Sequence, residues 1–279
     1  MTSRISTIKL SNWRDLHRFQ KQRWIFRGQP RWQYHGPRRE ECQIQSSLER
    51  CFGREKIGRA KRAVLEADLI REFKRGYHQY SPHIPDNHSE IEWLSLMQHH
   101  GAPTRLVDFT YSIYVAAYFA LEHTTSDCCI WAINGSWAQR QSVELFDLAG
   151  RPEARRLILG ATEPDIEGIA HALLFDKPRV LCAFAINPFR LNERLRIQKG
   201  IFVAPGVGDI SFMDNLRALK GHERPANVLR ITIPKSMRRK ALEDLYYMNI
   251  SRTSLFPGLD GYSQSLAVYN YAYNKSDVD

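Results

Sequence analysis

Residues 98–110 read Gln-His-His-Gly-Ala-Pro-Thr-Arg-Leu-Val-Asp-Phe-Thr and run straight into Tyr-Ser-Ile-Tyr-Val-Ala-Ala-Tyr-Phe-Ala-Leu at 111–121. Before this stretch Ile91, Leu94 and Met97 recur at helical spacing, and Gly101 with Pro103 ends that helix in the usual way. Residues 104–108 read as a short extended piece. After them Ile113, Ala116, Ala117, Ala120 and Leu121 follow the i, i+3, i+4, i+7, i+8 rule, so a second helix begins, capped by Asp108, Thr110 or Ser112. Small alanines at those positions let a helix lie close against a sheet. Helix, extended segment and helix in succession predict an α+β fold, with an acid, an arginine and two histidines at the junctions.

Outward from this centre, residues 24–30 read as a brief strand stopped by Gly28 and Pro30, which leaves Arg27 at a strand end. Leu65, Leu69 and Phe73 mark an amphipathic helix. Strands are expected at 128–134, 179–187, 201–204 and 228–233, where β-branched and aromatic residues alternate. Residues 135–178 read as a polar connection with helix near 153–159, residues 234–245 as a surface helix opened by proline, and residues 256–261 as a turn followed by a short helix. Neither a repeat nor a linker interrupts the chain. The expectation is one α+β domain over 1–279, with small mixed or antiparallel sheets flanked by helices, a helical extension at 1–23 and a polar tail at 266–279.

Of the 279 residues, 40 are Lys or Arg and 30 Asp or Glu, a formal charge of +10. The first 80 residues hold 19 of the bases and 8 of the acids, so the excess is N-terminal. Such a basic region either serves a DNA or RNA partner through phosphate contacts or is a solvated face. Five cysteines without CxxC spacing imply neither a zinc site nor a disulfide framework, and a reducing cytoplasm is the simplest compartment. No run approaches the roughly 20 apolar residues of a membrane span, and the N-terminus has no apolar leader core. Walker A, GxGxxG, GxSxG and HExxH patterns are all absent. The adjacent His99 and His100 have no carboxylate or cysteine at ligand spacing, so no metal site is expected.

Four stretches, WIFRGQ at 24–29, QHHGAPTRLVDFTYSIYVAAYFAL at 98–121, RIQKGIF at 196–202 and ISRTSLFPGLDG at 250–261, resemble the FRG-domain family, named for its Phe-Arg-Gly motif. The family's central motif carries leucine and tryptophan where this chain has Val107 and Phe109. A looser likeness is to mono-ADP-ribosyltransferases, which place an Arg-Gly at an early strand end, then a Ser/Thr strand leading into an alanine-rich helix, then a Glu or Gln near a later strand. Arg27-Gly28, Thr104 to Thr110 and Gln198 fall in that order. The resemblance implies an ADP-ribosyltransferase-like fold and an enzyme that uses NAD as substrate, in a toxin or phage-defence role; the basic N-terminal region points to nucleic acid as the acceptor.

Under that resemblance Arg27 grips the pyrophosphate, Gly28 admits the nicotinamide amide, and His99 or Thr104 orients a ribose hydroxyl. Asp108 or Gln198 faces the developing ribosyl cation. Arg105 is a phosphate clamp or an ion-pair partner. Each residue also has a plainer role: Arg27 as a structural partner of Asp108, Asp108 as a helix cap, and residues 256–261 as a packed turn with Asp260 at its rim. The alternative function is a non-catalytic module that binds a nucleotide or nucleic acid; a third is a protein-interaction scaffold with Arg27 and Asp108 paired and buried. Oligomeric state is not legible.

Overall fold

In the computed structural model, which describes residues 5–21, 23–30, 43–159, 166–188 and 193–272, seven strands form a single sheet. They are β1 (Ser6–Lys9), β2 (Trp24–Gln29), β3 (Val107–Thr110), β4 (Cys128–Asn134), β5 (Ala183–Ile186), β6 (Gly200–Pro205) and β7 (Val228–Ile233), in the order β1-β7-β4-β2-β3-β6-β5. Only the β1–β7 pair is parallel; the other neighbours run antiparallel. The fold is therefore α+β, built on one mixed sheet rather than several small ones.

Alternation along the strands sends side chains to two cores. Cys129, Trp131 and Ile133 of β4 join Ile25, Val107, Phe109 and Phe184 on one face, under helices that include Glu90–His99, Gly135–Leu148 and Phe212–Arg217. Cys128, Ile130 and Ala132 join Phe26, Leu229 and Ile231 on the other, beneath the helices Ile113–Leu121 and Arg238–Tyr247. The alanines of Ile113–Leu121 do what their spacing predicts. A Cβ on Gly28 would sit 1.7 Å from the Ala116 carbonyl oxygen and 2.7 Å from the Ala120 nitrogen, so the helix backbone lies directly on β2.

Several local expectations change. Residues 6–9, expected in a helical extension, form β1 at the sheet edge against β7. Among the described residues of 1–23, only Trp13–Phe19 winds, as a 3-10 helix capped by Asn12. The stretch 135–148, expected as a polar connection, is a helix that buries Trp137, Ala138, Val143 and Phe146. The cap of Ile113–Leu121 is Ser112, whose hydroxyl accepts from the Val115 amide at 3.3 Å; Asp108 is thus free of that role. The helix after the 256–261 turn is longer than expected, Leu259–Ala272. Residues 31–42 and 273–279 of the expected N-terminal loop and tail lie outside the described residues. Among the described residues no helix is long and apolar enough to cross a membrane.

Candidate functional site at the parting of the sheet

Strands β2 and β3 share one register position, Phe26 opposite Thr110. Beyond it β2 continues along β4 through Gly28 and Gln29, while β3 continues along β6 through Asp108 and Val107. The sheet therefore parts between its two middle strands. A cavity of about 190 Å³ lies there, lined by Arg27, Gly28, Asp108, Phe119, Arg194 and Gln198, with Phe26, Phe109 and Thr110 completing its walls. Two residues separated by 171 positions, Arg27 and Gln198, thus share one cavity.

Arg27 bridges the parting. Its Nη1 donates to the main-chain oxygen of Asp108 at 2.7 Å and stands 4.0 Å from the carboxylate Oδ2. The short bond is to the backbone, so the guanidinium fixes the strand rather than consuming the carboxylate. Burial lowers the Arg27 pKa, Asp108 opposes that, and Arg50 adds to it. The Arg27 Nε is buried with no hydrogen-bond partner among the described residues, an unmet donor of the kind that binding sites keep.

Asp108 is half exposed, and one carboxylate oxygen accepts from Gln98 Nε2 at 2.9 Å. The Gln98 amide is oriented from its other end, where Oε1 accepts from the Thr104 hydroxyl at 2.6 Å. Gln98 is therefore a positioning residue for Asp108, although its place in the sequence marks only a helix end.

The remaining candidates divide. Gln198 lines the cavity, but its Nε2 donates to the Leu255 carbonyl at 3.0 Å and its own main-chain carbonyl accepts from Thr110 Oγ1 at 2.7 Å. Thr104 is fully buried behind Gln98 and is not among the cavity's lining residues. Arg105 also points elsewhere. It is buried, with Nε and Nη2 on the Glu66 carboxylate at 2.6 Å each, Nη1 on the Leu174 carbonyl at 2.7 Å, and its guanidinium 4.5 Å from the Phe175 ring centre. Of its two expected roles the structure gives it the ion pair. Gly28 lines the cavity and also serves helix packing, because the place its Cβ would take is filled by Ala116 and Ala120 backbone. His99 sits exposed at the end of its helix, with its ring edge-on to His100. Partial burial, then His100, then Arg194 lower its pKa, which favours the neutral imidazole.

Arg194 carries no sequence signal of its own, being one of 40 cations and lying just outside the stretch at 196–202. Its guanidinium lies 4.6 Å from the Phe256 ring centre, and so does that of Arg252. Phe256 in turn packs edge-on against Phe119 of the cavity wall. The turn at 256–261 is thus the packed backing of the site; Asp260 is not among the lining residues. Among the described residues no group of three His, Cys, Asp or Glu is arranged to hold a metal.

The basic N-terminal region is partly neutralised. Lys9, Arg18, Arg59, Arg71, Lys74 and Arg75 are in ion pairs, whereas Arg14, Lys21, Arg23, Lys56 and Lys61 are exposed. Arg31, Arg38 and Arg39 lie outside the described residues.

An α+β protein with a cationic cavity between the two central strands is the class that fold and site define. Residues 22–128 match the family model of the FRG domain. That segment holds Arg27, Gln98, Thr104 and Asp108, and leaves Arg194, Gln198 and Phe256 to the rest of the chain. No curated protein and no solved structure matches the chain.

Proposed function

We propose that the cavity at the β2–β3 parting binds an NAD-type nucleotide and that the protein is an ADP-ribosyltransferase-like enzyme, with nucleic acid as acceptor and a toxin or phage-defence role. The observation that carries this reading is the convergence of Arg27, Asp108 and Gln198 on one cavity. The wall holds two cations, Arg27 and Arg194, against one carboxylate, Asp108. That balance favours an anionic ligand, and the buried Arg27 Nε is a donor in want of one. Phe119 offers apolar surface for a planar ring.

Size limits how the ligand sits. Sites that enclose a small molecule usually run to about 300–1,000 Å³, so about 190 Å³ takes a ring-sized group and leaves most of a dinucleotide outside. In the reaction the bond between ribose C1′ and the nicotinamide nitrogen breaks, and nicotinamide leaves with the electron pair. The acceptor then forms the new bond to C1′ and gives up its proton. The half-exposed Asp108 carboxylate suits the developing positive charge and can take that proton. Gln98 holds it in place, and His99, which is not among the lining residues but feels the charge of Arg194, is the candidate to orient a hydroxyl of the part of the ligand outside the cavity.

Incubating the protein with NAD and a panel of DNA, RNA and protein tests the reading. Nicotinamide release that falls at least about 100-fold in Asp108→Asn supports it; no release with any acceptor, and no NAD-induced rise in melting temperature, removes it. One observation favours the second reading, a non-catalytic nucleotide-binding module. Gln198 stands where a transferase of this type more often has a carboxylate, and its amide is tied to the Leu255 carbonyl. That reading expects NAD or ADP-ribose to bind, Arg27→Ala to weaken binding, and no turnover.

A further inference from the structure

Phe256 lies against two guanidiniums whose surroundings differ. Arg252 donates from Nη1 to the Glu122 carboxylate at 2.7 Å and from Nη2 to Gln264. Glu122 is itself buried and also accepts from the Tyr118 hydroxyl at 2.9 Å. The charge of Arg252 is thereby compensated within the fold. Arg194 has the same ring at the same distance, 4.6 Å, yet among the described residues it makes neither a hydrogen bond nor an ion pair. Asp108 acts on it only through space.

A guanidinium carries five N–H donors, and withdrawing them from water without partners costs free energy. A purely structural arginine would be expected to find a carbonyl or carboxylate, as Arg252 and Arg105 do. Arg194 instead lies over an aromatic ring, and it lines a cavity that Arg27 also lines. The ring holds the guanidinium in place without using its N–H donors, which leaves its fork for an incoming oxyanion.

We propose that Arg194 is the residue that grips a phosphate-type group of the ligand in this cavity, held over the Phe256 ring so that its donors are ready. The proposal rests on the cavity being a nucleotide site and names a residue outside the segment matched by the FRG domain. The 250–261 motif gains a role as well. Phe256 orients the arginine that meets the anion, and Arg252, neutralised by Glu122, holds the ring.

Inorganic pyrophosphate is the probe, titrated by calorimetry into the whole protein at constant ionic strength. Wild type binds one equivalent; Arg194→Ala weakens it roughly ten- to hundredfold, the loss expected for charge-assisted hydrogen bonds, and Arg194→Lys falls between the two. Arg196→Ala, on the same short helix but exposed, changes affinity less than about twofold and so accounts for general charge. The ligand-free melting temperature of each variant separates lost binding from lost folding, and Arg194→Lys, which keeps charge and length, serves if the alanine variant is unstable. No pyrophosphate binding by wild type, equal binding by Arg194→Ala and wild type, or equal losses in Arg194→Ala and Arg196→Ala each overturns the proposal. Pyrophosphate binding that needs Arg194, in a protein that never releases nicotinamide, keeps the proposal and removes the transferase.

Discussion

Replacing Gly28 by alanine sets a structural account of this motif glycine against a ligand-binding one. The added Cβ would stand 1.7 Å from the Ala116 carbonyl oxygen, where ordinary contact begins near 3.4 Å. Helix Ile113–Leu121 and strand β2 would have to separate by about 1.7 Å, and a packed core does not yield that distance freely. Both obstructing groups, the Ala116 carbonyl and the Ala120 amide nitrogen, are backbone atoms, so no rotamer change relieves the clash. Overpacking typically costs about 1–3 kcal/mol. Here the displaced helix also carries seven buried residues, which places the expected loss at about 3 kcal/mol or more. At about 2–4 °C per kcal/mol, the melting temperature should fall by about 6–12 °C without any ligand. Ala116→Gly should not restore it, because the obstructing atom is a carbonyl oxygen that glycine retains. A Gly28→Ala protein that melts within about 2 °C of wild type but binds nucleotide poorly would refute the packing argument and return Gly28 to the ligand.

Other expectations follow from the same contacts. Glu66→Gln should cost about 3–5 kcal/mol in chemical denaturation, because Arg105 would keep its buried charge without its carboxylate partner, whereas Glu66→Leu with Arg105→Met should cost less; equal losses would contradict the pairing. Gln98→Ala should lower stability by about 1–2 kcal/mol through the buried Thr104 hydroxyl and reduce turnover further than that loss explains, since Asp108 loses its tether. Burial pushes the Cys182 thiol up to about 12, so a maleimide at about pH 8 should leave it unlabelled in the native protein while the partly exposed Cys51 reacts; labelling of Cys182 at the rate of Cys51 would contradict its burial. The same shift means the folded state holds that proton after the unfolded chain has lost it. Cys182 therefore contributes stability below the ordinary thiol range and loses it as pH climbs toward about 12, an effect that Cys182→Ala should remove from the alkaline limb of a stability profile.

The centre of this fold was legible because its rules are local. Helix spacing from Ile113 to Leu121, the stop at Gly101 and Pro103 and the alternation at 128–134 each depend on near neighbours, and each appears in the structure. What was hidden depends on distant partners. Strand β1 is only four residues, Ser-Thr-Ile-Lys, and is a strand because β7, more than 200 positions away, pairs with it. The helix Gly135–Leu148 places polar residues such as Gln139 and Gln141 between widely spaced apolar ones, so its stripe reads as a connection until β5 is seen beneath it. At the site, the Arg-Gly motif and Asp108 stood out by type and order, and the structure brings them together with Gln198. Arg105 carried the same chemical signal as Arg27, and only the position of Glu66 separates an ion pair from a ligand contact. Arg194 had no signal at all: its distinction is that its donors find no partner among the described residues, which a sequence does not display.

The most direct test of the central claim, that the parting between β2 and β3 is a nucleotide site, is a calorimetric titration of ADP-ribose into wild type and Arg27→Ala. Wild type should show one site per chain, and the variant an affinity at least about tenfold weaker, the expected cost of losing a charge-assisted contact. Absence of binding by wild type, or binding that Arg27→Ala leaves unchanged, would contradict that claim.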